Sequence, residues 1–132
     1  MFRKTLILGF AALSATVGSL DAQQPANPPI KRTPLQKFDV PAGSYEAITA
    51  IAEISPSVNI GRHTHPGPES GYVIDGDLTL LVDGKPPLVL HPGDSYQIPS
   101  GAIHDARSGD KATKLAVVYV VEKGKPLATP AP

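Results

Sequence analysis

The sequence predicts a single all-β domain, a small sandwich or barrel, and three observations carry that expectation. Pro and Gly are abundant, at 15 and 12 of 132 residues, which suits turns and short strands and works against helices. Short apolar stretches recur at intervals of about 8 to 12 residues with Pro or Gly turns between them, the spacing of sandwich and barrel strands. The length leaves room for one domain and therefore for one site.

In chain order, Arg3 and Lys4 precede an almost uncharged apolar run from Leu6 to Val17, followed by small and polar residues to Ala22. This is the pattern of a secretory signal peptide over 1–22, with cleavage after Ala22, or alternatively after Ser19. The run is shorter than the roughly 20 apolar residues that span a bilayer. The expected mature protein is therefore periplasmic or secreted, without a membrane anchor. Residues 23–44 carry Pro25, Pro28, Pro29, Pro34 and Pro41 and read as an extended arm. The barrel domain is expected over 45–122, with a tail over 123–132. Tyr45 to Ile54 suits helix or strand by pattern alone. Leu78, Leu80 and Val82 alternate with Thr79 and Leu81, and Asp83-Gly84 signals a tight hairpin returning through Leu88 to Leu90. Asp75-Gly76 carries the same hairpin signal. Ser95 to Ile98 reads as a strand. From Lys114 to Val121, Leu115, Val117, Tyr119 and Val121 share one face and Ala116, Val118 and Val120 the other, so both faces are apolar.

Charge and cysteine usage exclude whole classes of function. Twelve Lys and Arg against twelve Asp and Glu leave no positive field for a phosphate backbone, so nucleic acid is not an expected partner. Cys is absent, which removes disulfides, thiolate nucleophiles and iron–sulfur clusters together. A metal would have to rest on His and carboxylate. His63-Thr64-His65 on a strand sends both imidazoles to one face. Beyond the rigid bend Pro66-Gly67-Pro68, Glu69 can turn its carboxylate to the same point, and His104 could supply a fourth donor. Such a mixed nitrogen and oxygen set suits a first-row divalent ion and leaves coordination positions open. His91, Asp94 and Asp105 read as turn residues.

These residues resemble the cupin family through both of its sequence motifs. The first is matched by His63-Thr64-His65, three residues, Glu69, six residues and Gly76, with Ser57 at the usual leading Gly. The second is matched by Gly93, five residues, Pro99-Ser100-Gly101, two residues and His104, with Ser108 where Asn is common. Sixteen residues, Asp77 to Pro92, separate the motifs. The resemblance implies a small antiparallel β-barrel of jelly-roll type. It also implies one divalent transition metal (Fe, Mn, Ni, Cu or Zn) on His63, His65, Glu69 and His104, and a homodimer in many relatives.

Four protein ligands on an octahedral ion leave about two positions for a substrate oxygen and O₂. The expected function is that of a metal-dependent, dioxygenase-like oxidoreductase acting on a small oxygenated organic substrate. Glu69 is its expected catalytic residue, able to leave the ion and carry a proton. Tyr72, Tyr96, Gln97 and Arg62 flank the motifs as candidates to orient the ligands. Two alternatives stand beside this reading: a non-catalytic module that binds a metal or small ligand, and a barrel whose histidines are purely structural.

Overall fold

The computed structural model describes residues 28–41 and 43–132; the expected signal peptide, 1–22, lies outside them. Ten strands follow one another: β1 (Ile30–Asp39), β2 (Tyr45–Ile54), β3 (His63–Thr64), β4 (Glu69–Asp75), β5 (Leu78–Val82), β6 (Leu88–Leu90), β7 (Ser95–Ile98), β8 (His104–Ser108), β9 (Thr113–Glu122) and β10 (Thr129–Pro130). Among the described residues there is no helix, and so none long and apolar enough to cross a membrane. The strands form two five-stranded antiparallel sheets, ordered β1-β2-β9-β4-β7 and β10-β3-β8-β5-β6. This is a jelly roll whose two sheets face each other without closing into a continuous barrel, because their edge strands pair with no strand of the opposite sheet.

Alternation along each strand decides what lies between the sheets. In β9, Leu115, Val117, Tyr119 and Val121 are buried, while Val118 on the opposite face is 38% exposed, so only one of its two apolar faces enters the core. From the facing sheet Leu78, Leu80, Leu90 and Ala106 meet them, joined by Ile54, Val73 and Ile98. Each such aliphatic side chain, fully buried, stabilises the fold by about 1.5–3 kcal/mol relative to exposure.

Tyr45–Ile54 is a strand because it has partners on both sides, β1 and β9. The Pro-rich arm is part of the sheet: Ile30 pairs with Ile54 and Asp39 with Glu46, with a register shift between Pro34 and Gln36. A proline that cannot donate to the ladder is tolerated at a bulge on an edge strand. The tail is likewise integrated, Thr129 pairing with Thr64 and Pro130 with His63.

Asp83-Gly84 does make a turn, with Lys85 N donating to Val82 O at 3.0 Å and Gly84 at φ 78°. Pairing starts only at Leu80 and Leu88, since Pro86 and Pro87 have no amide to donate. Asp75-Gly76 is not a hairpin. The strands it joins, β4 and β5, belong to different sheets, so the left-handed Gly76 (φ 73°) turns a corner between them.

Candidate metal centre

The jelly roll brings the sequence-predicted donors together on its inner face. His63 and His104 are register partners on β3 and β8, and His65 follows β3. All three are buried, at 7%, 2% and 3% exposure. Their rings are 4.2–5.1 Å apart centre to centre. One ring nitrogen from each falls within 4.8 Å of the other two. Two nitrogens bound to one ion at ~2.1 Å stand no more than ~4.2 Å apart, so the cluster is a small adjustment from chelating distance.

The other ring nitrogen of each histidine is already committed to a backbone carbonyl. His63 Nδ1 lies 2.7 Å from Gly61 O, His65 Nδ1 2.6 Å from Leu127 O and His104 Nδ1 2.9 Å from Ala102 O. A carbonyl only accepts, so each Nδ1 carries its proton and donates. In the neutral rings each Nε2 keeps its lone pair, free to bind a metal. Burial lowers the pKa of His63 to about 4, helped by its neighbours His104, His65 and Arg32 and opposed by the Gly61 hydrogen bond. This imidazole is neutral near pH 7.

Glu69, at the start of β4, is 7% exposed. Its Oε1 accepts a 2.8 Å hydrogen bond from the Tyr96 hydroxyl. Its Oε2 lies 2.9 Å from His65 Nε2 and 3.7 Å from His104 Nε2. Burial pushes this carboxyl up, while His104 and His65, which donate to it only when their Nε2 atoms carry protons, and the Tyr96 hydroxyl outweigh that and bring the pKa down to about 2. Burial, with the Glu69 charge beside it, keeps the Tyr96 hydroxyl protonated by raising its pKa well above 10.

The approach of Glu69 to His65 makes no hydrogen bond, and His65 Nε2 is buried with no partner. An unpartnered buried nitrogen normally costs about 1–3 kcal/mol. A cation placed among the Nε2 atoms removes that cost and the opposition of lone pair to carboxylate at once. The residues present therefore fit the metal expected for such a site.

Of the candidates to orient the ligands, only Tyr96 does so. Along β4, Glu69, Gly71 and Val73 are buried while Tyr72 is exposed. Along β7, Tyr96 and Ile98 turn inward and Gln97 outward. Arg62 is on the surface, paired with Asp83 at 2.8 Å. Gly71 is opposite Tyr96, and a Cβ there would run into the Tyr96 ring; the absent side chain lets the phenol lie back across β4 to reach Glu69.

Asp105 is not a turn residue but a buried member of β8. Its carboxylate accepts from Asn59 Nδ2 at 3.1 Å, Gly61 N at 3.0 Å and Ala106 N at 2.7 Å, which fixes the loop whose carbonyl orients His63. His91 and Asp94 do form a turn, His91 N donating to Asp94 Oδ2 at 2.7 Å. Two residues enter the site unannounced: Arg32 of β1 and Tyr119 of β9, joined by a 3.0 Å hydrogen bond from Arg32 Nε to the Tyr119 hydroxyl. Tyr119 could be placed on the inner face by alternation, but no sequence signal pointed to Arg32. Both line a cavity of about 20 Å³ shared with His63, Glu69 and His104.

The fold and the buried triad define a jelly-roll protein with a three-histidine site able to hold a metal ion. The Cupin domain family model matches residues 50–121, more than half of the chain, and the chain belongs to the cupin family. It is 35% identical over 57 residues to dimethylsulfoniopropionate lyase DddQ of Ruegeria pomeroyi, a stretch covering 43% of this chain and 28% of that protein. The crystal structure of that lyase superposes with a TM-score of 0.56 at 26% identity, over 68% of this chain and 44% of the lyase. The chain thus spans less than half the length of the lyase it matches. The polyketide cyclase RemF of Streptomyces resistomycificus gives a TM-score of 0.61 at 24% identity, covering 78% of this chain and 71% of the cyclase. A double-stranded β-helix protein of Klebsiella pneumoniae gives 0.62 at 19%, covering 83% and 90%. These last two are likenesses of fold.

Proposed function

We propose that the protein is an exported, metal-dependent cupin enzyme that acts on a small oxygenated organic substrate by proton transfer. The observation that carries this reading is the set of three buried imidazoles with every Nδ1 held by a carbonyl and the Glu69 carboxylate beside the free nitrogens. His63, His65, His104 and Glu69 would hold one divalent first-row ion. When bound, that ion supplies Lewis-acid polarisation of a substrate oxygen. Tyr96 holds one oxygen of Glu69 in place, which leaves the other to act as ligand or as base. Glu69 is therefore the catalytic residue of the proposal, taking a proton from the carbon next to the polarised group. The cavity beside Glu69 is largely apolar and small, at about 20 Å³ the room of a single water, so a substrate must displace that water and part the surrounding side chains to reach the carboxylate.

Both an O₂-dependent oxidation and a lyase reaction can begin with that proton abstraction. The relation to a dimethylsulfoniopropionate lyase favours the lyase reaction over the dioxygenase-like one. Metal analysis of protein purified without chelator or affinity tag, beside His104→Ala, tests the site. Stoichiometric metal in the parent and its loss in the variant are expected; no metal in either overturns the reading. Turnover of small enolisable carboxylates should proceed equally with and without O₂, and strict dependence on O₂ would restore oxidation as the reaction. Export predicts a mature protein that begins at Gln23.

A further inference from the structure

We propose that Arg32 is the specificity-determining residue of the site and that it recognises a carboxylate group on the substrate. The inference deepens the reading above, since it names the chemical class that the same cavity would take.

Ile30 and Arg32 are the half-buried residues of β1, and both line the cavity beside His63 and Glu69. Most of the remaining lining is buried and apolar, and Arg32, with Ile30 and Ile60, is one of the lining residues that keep partial exposure. Its Nε is spent on the Tyr119 hydroxyl. Among the described residues, no carboxylate forms an ion pair with it; the salt bridges all involve other cations. Glu69, the acid in the same cavity, is held by Tyr96 and lies against His65 and His104. The Nη1 and Nη2 edge of the guanidinium is left as a planar fork without an anion.

Such a fork matches the two oxygens of a carboxylate. A half-buried cation beside aliphatic walls is stabilised by acquiring a counter-ion. The charge of the site points the same way. Neutral imidazoles and one carboxylate do not balance a divalent ion together with a guanidinium, so the loaded cavity carries excess positive charge and draws an anion. The bond to Tyr119 fixes the direction of the fork, which makes Tyr119 a positioning residue for Arg32.

Acetate and its neutral isostere acetamide are the probes, titrated into the full mature chain with and without Zn²⁺ and followed through amide, Tyr119 and guanidinium NMR signals. Acetate should saturate and shift the Arg32 Nε–H signal, and acetamide should not. Followed at Tyr119, Arg32→Met should weaken acetate binding about tenfold or more in both the zinc-loaded and zinc-free forms. Arg32→Lys, which keeps the charge without the fork, should fall between. Tyr119→Phe, read on Arg32 itself, should weaken it by a smaller factor, and it provides a readout if Arg32→Met fails to fold.

Equal acetate affinity in the parent and Arg32→Met would overturn the proposal, because the metal alone would then be the anion site. Absence of saturable acetate binding to the parent, or equal binding of acetamide, would overturn it as well. If the parent takes up no zinc and holds no other transition metal as purified, the metal-enzyme reading fails, while Arg32-dependent acetate binding in the metal-free protein still upholds the role of Arg32.

Discussion

The segment from His63 to His104 and the two strands at the ends of the described chain, β1 and β10, serve the same site in different ways. The central segment supplies the donor atoms and the carboxylate. The outer strands supply what holds or complements them: the Leu127 carbonyl, just before β10, fixes His65 across 62 residues, and Arg32 of β1 reaches Tyr119 across 87. Donors packed into a short motif can be carried by one loop and two strand starts, whereas their orientation depends on strands that meet only when the jelly roll is assembled. The chemistry of the site is local in sequence. Its rigidity and its complement of charge are properties of the topology.

The largest effect expected tests whether the central segment is also self-supporting. Gly71→Ala places a methyl where the Tyr96 ring lies, and the ring is buried, so it has no solvent to move into. Overpacking of this kind costs about 1–3 kcal/mol, and the displaced hydroxyl also gives up its bond to Glu69. A loss of about 3 kcal/mol in urea unfolding is the expected result. Tyr96→Phe keeps the ring and removes only the donor, so it should cost less. If the two variants were equally destabilised, the hydrogen bond and not the close approach would be the governing contact.

Deleting residues 127–132 probes the outer strand directly. It removes the carbonyl that orients His65 together with the pairing of β10 to β3, and leaves every donor in place. Loss of a group that orients a metal ligand typically lowers metal affinity 10–100-fold, against complete loss in His104→Ala. Competition against a chromogenic chelator measures the difference. Unchanged affinity would reassign the C-terminal strand to stability alone.

Three of the donors were legible in the sequence because their spacing is short: two histidines two residues apart and a carboxylate after a proline-bounded turn point the same way, whereas His104, far along the chain, joined them through the second of the two spaced motifs. The regular alternation of β5 and β9 was legible for the same reason. Their supports were not. Pro34 made β1 look like a linker, since nothing local says that the proline falls at a bulge on an edge. Asp105 has the short polar side chain of a turn residue, and what buries it are donors on Asn59 and Gly61, which are 46 and 44 residues away. Tyr72 and Gln97 lie beside the motifs yet face outward, because strand parity depends on where pairing begins. The lack of a hairpin at Asp75-Gly76 has the same origin: a turn signal states that the chain reverses, not which sheet it enters.

The smallest effect concerns the donors without a metal. In the stripped protein His63 has a pKa of about 4 in place of 6.5 because burial disfavours its charged form. Above pH 6.5 the ring is neutral in both folded and unfolded chains and contributes no pH dependence. As pH falls below 6.5 the unfolded chain takes up the proton first, so stability declines and levels off only below about pH 4. Glu69, brought down from 4.5 to about 2, acts in the adjacent window: its contribution is intact above pH 4.5 and is lost as pH falls towards 2. Unfolding free energies at pH 7.5 and 5.5 therefore isolate the histidine, with a drop of about 1 kcal/mol. His63→Gln should abolish most of that drop while leaving the decline below pH 4.5. A parent profile that is flat between pH 7.5 and 5.5 would mean that the imidazole is charged when folded, and that the central segment needs the ion itself to become a set of ligands.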